Sequence, residues 1–108
     1  MNADEFARLC RAEKDSLVRT YFDATEETAV GSRIRSLSLS DEECGVLREI
    51  VNGVLTDAWY TLLLAIDGAA SLDGVQQDYD LRDETGDRIS GDGELEAAAY
   101  VHFQDSDA

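Results

Sequence analysis

The sequence predicts a helix-rich α+β fold: one domain with a long central buried helix, a β-hairpin and a C-terminal helix. Three observations predict it. A capped apolar stretch of helical period fills residues 40–68, apolar and polar residues alternate from residue 75, and helical period returns at 93–104. At 108 residues the chain has the size of a single domain, which we expect to span 1–108.

Residues 1–39 are predicted to form an N-terminal helical part. Apolar residues recur there at steps of three and four from Ala3 to about Thr28, which indicates one amphipathic helix. The apolar face is expected to consist of Phe6, Leu9, Cys10, Leu17, Tyr21 and Ala24. Its solvent side is expected to carry Arg8, Arg11, Lys14 and Asp15. The following "AVGSRIRSLSLS" suits a short helix to about Leu37, although its last residues also suit an extended link.

The central helix, residues 40–68, has the clearest start signal. "SDEE" is a capping box in which Ser40 and Glu43 satisfy each other's backbone amides. Residues 58–66 are apolar on nearly every side, so we expect this part to be buried on several faces, with Trp59 in the core. Gly68 is a natural left-handed residue at the helix end.

An acidic hairpin is predicted at residues 75–91. Apolar residues alternate with polar ones up to Leu81, "DETGD" forms the turn and "RIS" the return strand. A two-stranded hairpin is marginal alone in water. It must therefore pack on the central helix, pair with a third strand ("SRIRSLSLS" is the only other candidate) or pair with another copy. Asp92 is the expected N-cap of the C-terminal helix at 93–104.

The charge distribution limits the kinds of partner. The net charge is −15, of which residues 1–35 contribute −1 and residues 36–108 contribute −14. Such a chain lacks the cations that neutralise phosphates, which excludes ordinary nucleic-acid binding and disfavours anionic membranes. A protein with a basic surface or a divalent cation remains open. The polar N-terminus and the absence of an apolar run of ~20 residues predict a cytoplasmic protein, with Cys10 and Cys44 as reduced thiols.

Catalytic signals are few, so we predict that the protein is not an enzyme and needs no cofactor. His102 is the one histidine, and it lies on the expected inner face of the last helix. No cluster has zinc spacing, and no phosphate loop or nucleophile elbow occurs. A catalytic carboxylate would need a pKa raised by burial, and Asp57 is the one candidate for it.

The acidic hairpin is the predicted contact surface. Neither register of an EF-hand fits it, because the sixth position, which must be glycine, is Asp83 in the register that starts at Asp78 and Arg88 in the register that starts at Asp83. Carboxylates on a strand and turn can instead cover a surface built for phosphate. The predicted contact residues are Asp78, Tyr79, Asp80, Asp83, Glu84 and Asp87, with Tyr79 as a partial anchor. The alternatives are a solvated hairpin, a structural or dimerising module, and a divalent-metal-binding domain.

A family resemblance points the same way. The stretch "NGVLTDAWYTLLLAIDGAASLDGVQQDYDLRDETGDRISGDGELEAAA" resembles small bacterial immunity-type proteins of toxin systems and phage-encoded inhibitors. The similarity covers roughly residues 50–103 and lies in the overall pattern, so it assigns no individual residue. It implies a cytoplasmic inhibitor that binds a cognate protein, such as a nuclease-type toxin or a nucleic-acid-handling complex.

Overall fold

The computed structural model describes residues 1–105 and folds them around four helices. These are α1 (Ala3–Phe22), α2 (Ala29–Ser36), α3 (Asp41–Ile66) and α4 (Glu94–Phe103). Helices hold 61% of the described residues, which contain no β-sheet. The predicted α+β class is therefore wrong, and the fold is all-α with a long loop between α3 and α4.

The predicted β-hairpin at 75–91 is replaced by an irregular loop. Arg82 and Arg88 form only an isolated antiparallel bridge, and no ladder extends from it. The reason lies in a side chain. The Ser90 hydroxyl accepts a hydrogen bond from the Leu81 amide at 2.9 Å and donates one to the Tyr79 carbonyl at 3.0 Å. A buried serine thus occupies backbone groups that a partner strand would have used.

The start of α3 follows its sequence signal, whereas the end of α1 and the N-cap of α4 differ from the prediction. The capping box of Ser40 and Glu43 is present, which confirms the predicted start of α3. α1 ends at Phe22, well before the predicted Thr28, because Thr28 instead caps α2 by accepting from the Gly31 amide at 2.8 Å. The N-cap of α4 is Gly93 rather than Asp92.

The buried face of α1 is made of small residues instead of the large apolar ones. Its buried positions are Ala3, Ala7, Cys10, Lys14 and Val18. Leu9, expected inside, is 43% exposed, and Lys14, expected in solvent, is 2% exposed. Small side chains let α1 lie close to α4, whose buried residues are Leu95, Ala98, Ala99 and Phe103.

Only the second half of α3 enters the core. Leu63 and Ala65 are buried, and Trp59, Tyr60 and Ile66 are partly buried and pack against the core cluster, so Trp59 lies at the edge of the core and not within it. Along the first half, α1 covers one side, where Arg48 lies over the Phe22 ring, and the side that carries Val46, Ile50 and Val54 stays exposed. The prediction of a long central buried helix is therefore wrong in its extent, because the buried residues of α3 are Leu63 and Ala65.

The molecule is consequently elongated. Its radius of gyration is 16.2 Å and its extents are 46 × 30 × 27 Å, whereas a compact domain of this length has a radius of about 13 Å. Its accessible surface is 7022 Å², against roughly 6,000 Å² for a compact monomer of its mass. The chain therefore leaves about 1,000 Å² more surface uncovered than folded monomers of this size usually do.

Two glycine-to-alanine substitutions should have opposite effects on the free energy of unfolding. A Cβ added at Gly45 meets no atom within 4 Å, so Gly45→Ala should stabilise α3 by about 0.5–1 kcal/mol. A Cβ added at Gly31 meets Thr28 Oγ1 at 2.8 Å and the Tyr21 carbonyl at 3.0 Å, so Gly31→Ala should destabilise by roughly 1–3 kcal/mol. Urea denaturation at one protein concentration measures both, and equal shifts would contradict the packing of α2 on α1.

Candidate functional site

All six predicted contact residues lie in the loop that joins α3 to α4, residues 67–93, which we call the acidic loop. It holds eight acidic and two basic side chains, a net charge of −6. Although it contains no sheet, its path is fixed by side-chain hydrogen bonds to backbone groups. Three residues supply most of these bonds: Asp67, Asp83 and Ser90.

Asp67 fastens both ends of the acidic loop. As the C-cap of α3, it accepts a hydrogen bond from the Gly91 amide on one carboxylate oxygen and from the Glu96 amide at 2.8 Å on the other. The second bond lies in the first turn of α4, where unpaired amides favour a negative charge. The sequence showed Asp67 only as part of a helix stop, and nothing local indicates that it reaches α4.

Asp83 organises the tip of the acidic loop. One oxygen accepts from the Thr85 amide at 2.9 Å, the Thr85 hydroxyl at 2.7 Å and the Asp87 amide at 3.0 Å. The other accepts from the N-terminal ammonium of Met1 at 2.6 Å. The ammonium and these donors hold the pKa of the Asp83 carboxyl well below its usual range, and Asp83 in turn raises the pKa of the Met1 ammonium.

Part of the negative charge is balanced within the chain. Asp80 faces Arg82 at 3.0 Å and Arg88 at 3.5 Å, while Asp87 lies 3.4 Å from the Met1 ammonium. These contacts make the electrostatic potential of the loop less negative than its sequence suggests. Asp80 and Asp87 were predicted to contact a partner, but their ion pairs lie within the chain and help to hold the loop in shape.

Asp78, Tyr79 and Glu84 remain available to a partner. The carboxylates of Asp78 and Glu84 are exposed and have no hydrogen-bond or ion-pair partner within residues 1–105. Tyr79 is 38% exposed. Asp78 and Tyr79 line one small pocket with Arg88, beside the end of α3. The structure therefore divides the predicted set into presenting residues and supporting residues.

A second polar cluster, which the sequence pattern missed, connects three helices. The buried Lys14 ammonium donates to Asn52 Oδ1 at 2.8 Å and pairs with Asp15 at 2.7 Å. Arg11 bonds Asp15 at 3.0 Å and the His102 carbonyl at 2.6 Å. Burial would raise the pKa of Asp15, but the bonds and charges of Lys14 and Arg11 outweigh burial and lower it. The sequence does contain a signal for this cluster: positions 3, 7, 10, 14 and 18 follow one another at helical spacing, and this series places Lys14 on the inner face of α1.

The remaining candidates for chemistry have structural surroundings. His102 contacts Asp4 Oδ1 at 2.9 Å and links α4 to α1. Asp57 is exposed and accepts no hydrogen bond in the described range, so it is not the buried carboxylate that a general base would require. Cys10 and Cys44 are free thiols, and burial raises the pKa of Cys10. Residues 1–105 contain no group of three or more His, Cys, Asp or Glu side chains arranged for a metal ion.

α3 also has the length and composition of a membrane-spanning helix, although only 11% of its most apolar window is buried in the fold. A span there would place Asp57 in hydrocarbon, at a cost of about 3 kcal/mol.

By sequence or by structure, no protein-family model, no curated protein and no solved structure is detectably similar to this chain.

The pairing of Asp83 predicts a defined pH dependence for the stability difference between the wild type and Asp83→Asn. Folding lowers the pKa of Asp83, so the ionised carboxylate adds to the free energy of unfolding. This contribution is fully present above the pKa of the unfolded chain, about 4, and is lost as the pH falls through the pKa of the folded protein. Because the pKa of the Met1 ammonium is raised, the same contribution is lost as the pH rises from 8.0 through the folded value.

The measurement is urea denaturation of both variants from pH 2 to pH 10. The control is Glu84→Gln, which removes a neighbouring carboxylate that does not contact the Met1 ammonium and should not reproduce the profile of Asp83→Asn. A flat profile for Asp83→Asn as well would show that its contact with the ammonium does not form in solution.

Proposed function

We propose that the protein is a non-enzymatic, acidic, protein-binding inhibitor of the immunity or anti-defence type, which covers a basic surface on a cognate protein. One observation carries the proposal: the acidic loop, with a net charge of −6, is held in a fixed path while Asp78 and Glu84 stay unpaired and exposed. A loop that served only solubility would not need a buried serine and two carboxylates to fix its course.

The physical basis is preorganised charge. A loop already ordered before binding loses less conformational entropy on association than a flexible acidic tail. Its charges attract a cationic partner and select against anionic ones more than they add affinity. The partner that fits is a protein with a surface built for phosphate, such as a nuclease-type toxin or a nucleic-acid-handling complex. A cytoplasmic location is part of this proposal.

The contact residues divide into two roles in this proposal. Asp78 and Glu84 face the partner with Tyr79 beside them, whereas Asp80 and Asp83 keep the loop in shape through their own cations and amides. Charge reversal at Asp83 would therefore disturb the loop itself, so the presenting pair makes the cleaner test.

The test is a double reversal, Asp78→Lys with Glu84→Lys, matched to Glu26→Lys with Glu27→Lys. Both variants change the net charge equally, and both control residues are exposed in the α1–α2 connection. Each tagged protein serves as bait in an extract of its host at low salt. We expect a basic protein that is eluted by salt, because screening acts over ~8 Å at physiological ionic strength, and that is retained by the control but lost with the loop variant.

The proposed interface is then measured directly with the captured protein in purified form. The dissociation constant should rise with salt, and the loop reversal should raise it at least tenfold more than the control reversal does. Equal losses in the two variants would show that only total charge matters. Binding that does not change with salt would contradict a charge-driven complex.

A structural or dimerising module is the second candidate function. The predicted route, hairpins pairing across a twofold axis, is not open because no hairpin forms. A different surface, on α3, supports self-association, and it is independent of the acidic loop.

A further inference from the structure

The first half of α3 exposes a row of β-branched side chains. Val46, Ile50 and Val54 are 53%, 55% and 61% exposed, on a helix whose other half lies in the core. They recur every four residues, so they form one continuous ridge, which we call the α3 ridge. Beside it an apolar groove between α2 and α3 is lined by Val30, Ile34, Leu37 and Leu47 among others.

The amount of uncovered surface matches what an interface requires. The chain exposes 7022 Å², about 1,000 Å² more than a compact monomer of its mass. A standard stable interface buries about 800 Å² on each partner. The excess is therefore large enough for one complete half-interface, and the α3 ridge with its groove is the extended apolar part of it.

The α3 ridge is symmetric about Ile50. In an antiparallel pair of α3 helices centred on Ile50, Val46 of one copy lies beside Val54 of the other, so one patch complements itself as a twofold interface requires. Rows of residues four apart favour packing at an angle of about −50°. The neighbouring row contains Gly53, where an added Cβ meets no atom within 4 Å. Gly53 lies at the edge of a polar cleft toward α1 and α4, so on the other side of the ridge the apolar groove between α2 and α3 is the one open to the partner's side chains.

We infer that the α3 ridge is a homodimerisation surface, on which a second copy of this chain packs its own α3 antiparallel and crossed. The partner is a second copy because the ridge is self-complementary in sequence and the excess surface, about 1,000 Å², exceeds the ~800 Å² that one half of a standard dimer interface buries. This inference goes beyond the inhibitor proposal and does not depend on it.

Charge does not prevent this dimer, although each copy carries −15. Ile50 lies about 25 Å along the helix axis from the start of the acidic loop. An antiparallel arrangement sends the two loops to opposite ends, several times the ~8 Å screening length apart. In an antiparallel pair with aligned helix axes, Glu43 of one copy would face Asp57 of the other copy. The crossing angle between the two helices moves these carboxylates apart. α2, beside the ridge, has two arginines and no acidic residue.

The primary test is sedimentation equilibrium of the wild type, Ile50→Glu and Val101→Glu. Val101 is the matched control, since it is β-branched, 51% exposed and on α4, away from the α3 ridge. We expect twice the 11.9 kDa chain mass for the wild type and for Val101→Glu at micromolar concentration. Ile50→Glu places two like charges at the twofold axis and should raise the dissociation constant about 100-fold, with unchanged helical circular dichroism.

A second pair of variants separates folding from association. Gly53→Ala and Gly45→Ala each replace an open glycine in α3, and neither meets a neighbour in the monomer. Gly53 lies one turn from Ile50 at the side of the ridge, and Gly45 lies near the end of the ridge, so Gly53→Ala should weaken the dimer more than Gly45→Ala does. Equal effects of the two substitutions on the dissociation constant would show that the centre of the ridge is not the contact.

Crosslinking tests the register. In a Cys44→Ser background, Ile50→Cys should form an intermolecular disulfide on mild oxidation, because symmetry places the two thiols together. The buried Cys10, with its raised pKa, should not react.

Several results would overturn the inference. One is a monomer at a hundred micromolar, and another is a dimer that survives Ile50→Glu. A protein that stays monomeric in water but floats with phosphatidylcholine vesicles would assign the α3 ridge to a lipid surface instead.

Discussion

The close packing of α1 on α4 through alanine is the constraint on which the rest of this fold depends. Ala7 and Ala99 are completely buried, and with their small neighbours they let two helices approach without large side chains between them. The core is therefore thin. It has room for Leu63 and Leu95 but not for a 26-residue apolar helix along its whole length. The projecting half of α3 and the long loop after it both follow from that limit.

The buried Lys14 belongs to the same constraint. An ammonium at 2% exposure can remain charged only where carboxylate and amide oxygens surround it, and Asp15 and Asn52 supply them. With Arg11, this cluster ties the middle of α1 to α3 and to the end of α4, at the point where the alanine contact ends. Removing one partner leaves an uncompensated charge, so the polar cluster makes the helix register specific where alanine packing alone would not.

Local sequence signals predicted the helices, and nonlocal contacts decided the rest. The capping box at Ser40 acts within four residues, which is why the start of α3 was predictable. The alternation of apolar and polar residues in the acidic loop is also typical of β-strands. Here, however, Ser90 and Asp67 accept hydrogen bonds from backbone amides that are distant in sequence, and no ladder of hydrogen bonds between strands forms. The predicted contact residues all lie in this loop, yet only the structure separates the exposed, unpaired Asp78 and Glu84 from Asp83, whose carboxylate pairs with the Met1 ammonium.

The face of α1 that points inward is the most direct test of this fold, because hydrophobicity alone would choose the opposite residues. The measurement is the free energy of unfolding of Ala7→Leu and Leu9→Ala by urea denaturation. Overpacking at the fully buried Ala7 should cost about 1–3 kcal/mol or more, whereas truncating the 43% exposed Leu9 should cost less than about 1 kcal/mol. A larger loss for Leu9→Ala than for Ala7→Leu would contradict the alanine contact between α1 and α4.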